Sequence, residues 1–197
     1  MRVIAISGTP GTGKTSNSKR LNLQLNSKLF SLSEIVNKKQ FFTSRDEARE
    51  TYVTDENRLI NYLIKKIREY EKQPIDFMII EGHFVDILPA DLIDMAIILR
   101  CHPERLSERL SERGYNSKKI QENLQAEILG NSVSYMIETQ GDFPILEIDT
   151  TLLSLKESTQ LIHDLIIKNE DPEKYKIGRV DWLEELSKEN KLEEYFD

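Results

Sequence analysis

Residues Gly8-Thr9-Pro10-Gly11-Thr12-Gly13-Lys14-Thr15 match the spacing G-x-x-x-x-G-K-[ST] in full. The chemistry of this spacing is phosphate capture. Glycines let the backbone curl tightly, so that several N–H groups point inward at one anion. A helix that opens directly behind the loop adds the positive end of its dipole. Lys14 is placed to reach the β and γ phosphates of ATP, and the hydroxyl of Thr15 is placed to coordinate Mg²⁺. The context fits: an apolar run precedes the loop, and a segment with Leu21 and Leu25 on one helical face follows it.

Two further groups of residues have useful chemistry. Glu81-Gly82-His83 closes a strand expected over Asp76 to Ile80. Ligands of open α/β sheets sit at the carboxyl ends of strands. A carboxylate there can hold Mg²⁺ through water or orient an attacking group. His83 can position that group or relay a proton; it can equally be a hydrogen-bonded structural histidine, and Glu81 a solvated strand end. Arg109 and Arg113 lie four apart and share a helix face, which Arg105 extends. Two guanidinium groups on one face suit triphosphate binding and stacking on a base. The plainer reading is a charged surface helix paired internally with Glu104, Glu108 and Glu112. Lys118 and Lys119 follow the Gly114 turn. His102 and His163 lack metal-like spacing, and the lone Cys101 allows neither a zinc cluster nor an intramolecular disulfide. Packing is its expected role, in a reducing interior.

These residues need a frame. Short unbroken apolar runs recur at Val3–Ile6, Phe77–Ile80, Ala96–Leu99 and Ile145–Ile148. Runs without polar alternation are the mark of strands buried on both faces of a parallel sheet. Between them lie helical periodicities, such as the face formed by Leu59, Ile60, Leu63, Ile64 and Ile67. Ser154 and Glu157 have capping-box spacing ahead of a helix to about Lys168, and Ser31 and Glu34 repeat it after a short strand near Leu29. The alternation predicts an α/β fold, a three-layer doubly wound parallel sheet. Residues 31–72 read as a mostly helical excursion, and Gly114-Tyr115-Asn116 marks a second; inserts on the ligand side of a sheet often cover a substrate.

The 197 residues suit one domain, and a net charge of −7 argues against a chain that wraps nucleic acid, so no sequence-specific nucleic-acid binding is expected. No apolar run approaches the roughly 20 residues of a membrane span. A cytoplasmic setting follows as the expectation. Residues 171–197 carry nine acidic and five basic side chains and the only tryptophan, Trp182. This tail reads either as a helix laying its apolar edge on the domain or as a docking segment for a basic partner. The chain has no D-x-x-G and no N-K-x-D, which sets aside Ras-like GTPases, and no L-S-G-G-Q signature of transporter ATPases. Protein-kinase loops are missing too.

The combination of Gly8–Thr15, Glu81-Gly82-His83 and Arg109-x-x-x-Arg113-Gly114-Tyr115-Asn116 resembles the adenylate kinase isoenzyme 6 family, the coilin-interacting nuclear ATPases of animals with their archaeal members. The last motif continues through Lys118-Lys119-Ile120 to Asn123, Leu124, Gln125, Glu127 and Ile128, and the likeness runs over residues 1 to about 168. The resemblance implies a P-loop fold of the nucleoside monophosphate kinase type. It implies ATP contacts from Gly11, Gly13, Lys14, Thr15 and Ser16, beside Gly8 and Thr12 of the same loop. Glu81 and His83 would fill an acidic-x-histidine Walker B, with Lys14, Glu81, His83 and Arg113 as the catalytic set. Arg109 and Arg113 would serve a short lid over 113–122, and residues 32–55 a monophosphate-binding insert, in a core of residues 1–170 followed by the acidic extension 171–197. The implied activities are phosphoryl transfer from ATP to AMP and Mg²⁺-dependent ATP hydrolysis. The implied setting is maturation of the small ribosomal subunit beside a basic ribosomal protein. A purely metabolic monophosphate kinase, or a kinase of another small acceptor, is also consistent with the residues. Some relatives have aspartate where Glu81 stands, and some have arginine in the insert where this chain has Asn37; Lys38, Lys39 or Arg45 are the candidate substitutes.

Overall fold

The computed structural model describes residues 1–46, 51–168 and 172–196. Strand β1 (Arg2–Ser7) leads through the glycine loop into helix α1 (Lys14–Gln24), and β2 (Ser27–Ser31) leads into α2 (Leu32–Lys39). A hairpin of β3 (Phe42–Asp46) and β4 (Thr51–Thr54) precedes α3 (Glu56–Tyr70) and β5 (Phe77–Glu81). Two single-turn 3₁₀ helices lead to β6 (Met95–Arg100), followed by α4 (Pro103–Glu112), α5 (Ser117–Ile128) and α6 (Asn131–Glu138). Then come β7 (Ile145–Asp149), α7 (Leu155–Lys168) and α8 (Trp182–Lys188).

The main sheet has the order β2-β5-β1-β6-β7, with every neighbouring pair parallel. Strand β1 is central. Its side chains alternate between two apolar cores: Val3 and Ala5 pack with Leu59, Leu63 and Ile67 of α3, whereas Ile4 and Ile6 pack with Leu21 of α1 and Ile162, Leu165 and Ile166 of α7. Both faces are covered, which is why the strands read as continuous apolar runs. The chain winds from β1 towards β5 on one side and towards β6 on the other. The crevice at the carboxyl end of β1 is therefore the switch point of the sheet.

The expected strands and the Ser154–Glu157 cap are present: Ser154 N donates to Glu157 Oε2 at 2.9 Å, and Glu157 N donates back to Ser154 Oγ at 3.3 Å. The second expected cap does not form. Ser31 Oγ lies 3.2 Å from Ser33 Oγ, and Glu34 pairs instead with Lys19 at 3.1 Å. The excursion over 31–72 is mostly helical as expected, through α2 and α3, but the β3–β4 hairpin interrupts it. The β-branched and aromatic residues of Thr51–Thr54 favour a pleated surface, and the rings of Phe42 and Tyr52 stack across the hairpin at 4.5 Å. A third apolar cluster lies beneath α4 and α5. Here Cys101, Leu106, Leu110, Leu124 and Ile128 meet Trp182, Leu186 and Tyr195, so the C-terminal segment packs on the domain.

Candidate active site

The glycine loop takes its shape from backbone states that side chains oppose. Gly8 has φ 135°, and a Cβ there would stand 2.3 Å from the carbonyl oxygen of Leu99. Gly11 has φ 98°, and its Cβ would press within 2.6 Å of Leu106 Cδ1. Thr12 closes the curve by donating its hydroxyl to the carbonyl of Thr9 at 2.9 Å. Gly13, left-handed, precedes α1 and supplies no side-chain cap, so the first N–H groups of α1 remain available to an anion.

Lys14 is buried, and its Nζ donates to the carbonyls of Gly8 at 2.6 Å and Thr9 at 2.9 Å. Burial lowers its pKa from 10.5 to about 8; Glu81 and Glu127 oppose the shift, and Arg113 adds to it. The hydroxyl of Thr15 donates to Glu81 Oε1 at 3.2 Å, and Glu81 is 2% exposed at the end of β5. His83 lies two residues on, its ring edge-on to Phe84. Burial, followed by the charges of Lys14 and Lys119, lowers its pKa from 6.5 to about 4, so it is neutral across the physiological range.

These side chains converge on one cavity of about 670 Å³. Lys14, Thr15, Glu81, His83 and Arg113 line it near the loop, and Ser33, Asn131, Ser132 and Tyr135 line it further away. Tyr115, Asn116, Lys118 and Lys119 also line it; Asn116 caps α5 by accepting from Lys119 N at 2.8 Å. A second cavity of about 190 Å³ adjoins at Gly11, Gly13 and Arg113 and contains Thr12, Ser16 and Arg109 in its wall. Arg109 and Arg113 thus share a helix face as expected, but Arg113 reaches both cavities and Arg109 the smaller one alone. The guanidinium of Arg109 donates to the carbonyl of Thr150 at 2.8 Å and to its hydroxyl at 3.2 Å. Arg105 is drawn away to an ion pair with Glu108.

Other sequence candidates lie elsewhere. Asn37 and Lys38 are exposed, Lys39 sits over the ring of Tyr62 at 5.6 Å, and none of the three lines either cavity. The side chain of Arg45 lies outside the described residues, as do residues 47–50. Of residues 32–55, Ser33 lines the large cavity among the described residues. His102 caps α4, accepting from Glu104 N at 3.3 Å, and His163 lies 3.2 Å from Asp164. Burial pushes the Cys101 thiol up to about 11, which leaves it an inert packing residue.

Two groups behind the loop escaped the sequence reading. The hydroxyl of Thr150 lies 3.0 Å from the carbonyl of Thr12 and 2.9 Å from that of Arg100, pinning the loop to the end of β6. Glu127, 1% exposed, accepts a hydrogen bond from the Thr9 hydroxyl and forms a buried ion pair with Arg100 at 2.8 Å. Its signal was present: a carboxylate between Leu124 and Ile128 on the apolar face of α5.

Among the described residues, no cluster of three or more His, Cys, Asp or Glu side chains could hold a metal ion. Thr15 and Glu81 nevertheless offer two hard oxygen donors at the phosphate end of the cavity, the donor chemistry that Mg²⁺ takes when nucleotide phosphates complete its shell. No helix among the described residues is long and apolar enough to cross a membrane.

Comparison with known proteins agrees with this geometry. The family described as an AAA domain matches residues 4–130. A Methanocaldococcus jannaschii protein named "Putative adenylate kinase" is 41% identical over 92% of this chain and 93% of its own. The Saccharomyces cerevisiae protein named adenylate kinase isoenzyme 6 homolog FAP7 is 32% identical over 75% of this chain and 72% of its own. Among solved structures, a shikimate kinase from Bacteroides thetaiotaomicron shares the fold with a TM-score of 0.57 at 19% identity, covering 84% of this chain and 98% of that one.

Proposed function

The chain belongs to the adenylate kinase isoenzyme 6 family of P-loop nucleoside monophosphate kinases, and we propose that within it this protein transfers the γ-phosphoryl group of ATP to AMP and, as an ATPase, to water. The observation that carries the reading is the single cavity lined by Lys14, Thr15, Glu81, His83 and Arg113.

The geometry supports the following roles. The N–H groups of Gly8 to Thr15 and the open end of α1 receive the triphosphate, with Gly11, Thr12, Gly13 and Ser16 along its path. Lys14 exchanges its two carbonyl acceptors for phosphate oxygens, which restores the environment a charged amine prefers. The hydroxyl of Thr15, and Glu81 through water, would hold Mg²⁺, which supplies charge neutralisation for the phosphates. Arg113 spans both cavities and faces the charge that develops on the moving phosphoryl group; Arg109, fixed by Thr150, offers a planar cation to the adenine side. AMP is assigned to the far wall of Ser33, Asn131, Ser132 and Tyr135. Catalysis is then mainly positioning and electrostatics.

His83 is neutral, so it orients the attacking oxygen as a hydrogen-bond partner and does not contribute charge. When AMP fills the site, an oxygen of its phosphate attacks the γ-phosphorus of ATP and ADP departs as the β,γ P–O bond breaks; when it does not, a water can take the same attacking place beside His83 and Glu81. One site then supports both reactions, and closure over AMP sets the balance. The assembly role implied by the family fits a net charge of −7 and exposed acidic residues such as Glu184, Glu185 and Glu193 on the C-terminal segment, which suit a basic ribosomal protein. The test is ADP formation from ATP and Mg²⁺, with and without AMP, and then with such a protein added. A rate dependent on AMP supports the kinase reading; slow AMP-independent turnover modulated by the added protein shifts the weight to the assembly reading.

A further inference from the structure

Behind the phosphate loop lies a buried cluster of three charges. Arg100, at the end of β6, donates from Nε to Glu127 Oε1 at 2.8 Å and from NH1 to Glu147 Oε1 at 2.5 Å. All three are 4% exposed or less. One cation thus bridges two carboxylates, and Glu127 also acts on the buried ammonium of Lys14. Glu127 is the carboxylate of the pair that touches the loop.

Glu127 is hydrogen-bonded on both oxygens. Oε2 accepts from the hydroxyl of Thr9, whose carbonyl in turn accepts from Thr12 and Lys14. Oε1 accepts from Cys101 N at 3.0 Å and from the indole Nε1 of Trp182 at 3.2 Å. The C-terminal segment reaches the same cluster twice more: Gly178 N donates to Glu147 Oε2 at 2.6 Å, and the carbonyl of Val180 accepts from Arg100 NH1 at 3.4 Å. A continuous line of buried hydrogen bonds therefore runs from Trp182 through Glu127 to Thr9. Neither Glu127 nor Trp182 lines either cavity.

We propose that Glu127 is a positioning residue for the phosphate loop, and that the C-terminal segment sets its position through Trp182. The loop is held in its phosphate-receiving curve from behind, so nucleotide affinity depends on residues more than fifty positions apart in sequence that never touch the nucleotide. The proposal rests on the reading that this loop binds nucleotide. It also provides its own reporter, since Trp182 is the only tryptophan in the chain.

The experiment titrates ADP with Mg²⁺ into the full chain, followed in parallel by calorimetry and by Trp182 emission. Emission is expected to change in step with calorimetric saturation. Glu127→Gln keeps the size and an acceptor for Arg100 while removing the charge. It is expected to bind ADP roughly tenfold more weakly, the scale of a lost hydrogen bond to a charged group. Thr9→Val leaves the buried cluster intact and cuts the line at the loop. It is expected to weaken ADP binding by a similar factor and to silence the emission change, and it carries the test if Glu127→Gln does not fold. Trp182→Phe, which keeps the ring and loses the N–H, is expected to raise the ADP Kd roughly threefold. Wild-type Kd in both Glu127→Gln and Thr9→Val would overturn the positioning role, as would lost stability with unchanged Kd. Emission that stays flat through a calorimetrically saturating titration would overturn the link to Trp182. No binding heat in the wild-type chain would instead refute the nucleotide reading itself, and this proposal with it.

Discussion

Replacing Lys14 with methionine should make the nucleotide-free protein more stable at neutral pH while abolishing its tight hold on ATP. Burial displaces the Lys14 pKa from 10.5 to about 8, so the folded chain holds a charged amine at pH 7 against a penalty of about 3 kcal/mol. Methionine removes the charge and keeps the length of the side chain. It forfeits the hydrogen bonds to Gly8 and Thr9, about 1 kcal/mol each. The net gain expected at pH 7 is about 1 kcal/mol. The sign depends on pH. Because the folded pKa lies below the unfolded one, the penalty is full below about pH 8, fades between 8 and 10.5, and is gone above. The wild-type chain should therefore catch up with Lys14→Met over that window and overtake it by pH 10, where about 1 kcal/mol of the penalty remains against about 2 kcal/mol of lost hydrogen bonds. Urea denaturation of both chains at pH 7 and pH 10 measures this. ATP with Mg²⁺ should stabilise the wild-type chain alone. A variant less stable at pH 7, or a stability gap independent of pH, would refute the reasoning.

Other perturbations separate the roles of neighbouring residues. His83→Ala should depress ATP hydrolysis at least tenfold and transfer to AMP by less, since AMP is held by its own contacts and a water is not; equal losses in both rates would contradict the orienting role. Arg113→Ala should lower kcat by about 100-fold, as expected for a group aimed at developing charge, whereas Arg109→Ala should chiefly raise the KM for ATP; steady-state kinetics distinguish them. Leu186→Ala, at a fully buried position of α8, should destabilise the whole domain by about 3 kcal/mol in urea denaturation. A loss near zero would mean that the C-terminal segment unfolds separately from the core.

Sequence revealed the frame and the front of the site better than its back. The strands around Ile4, Ile79, Ile97 and Leu146 were legible because burial on both faces leaves no polar alternation, and the loop because its glycine spacing is dictated by backbone states that few residues reach. The hairpin at Phe42 and Tyr52 was not legible, since it lies between two amphipathic helices and its β-branched and aromatic run is only four residues long. The Ser31–Glu34 spacing misled because Lys19, distant in sequence, captures the glutamate. Arg109 and Arg113 were correctly placed on one face, but helix period alone does not tell which cavity each reaches. Glu127 stands in a sequence motif without showing its role, because its partners Thr9, Arg100 and Trp182 come from three separate segments that only the fold brings together.

The most direct test of phosphoryl transfer to AMP uses ATP labelled in its γ-phosphoryl group, incubated with Mg²⁺ and unlabelled AMP, followed by separation of ADP from inorganic phosphate. The geometry of the shared cavity predicts label in ADP, as the β-phosphoryl newly joined to AMP, exceeding label in free phosphate whenever AMP is present. Label recovered in phosphate alone, at a rate indifferent to AMP, would contradict the assignment of the cavity to a monophosphate acceptor.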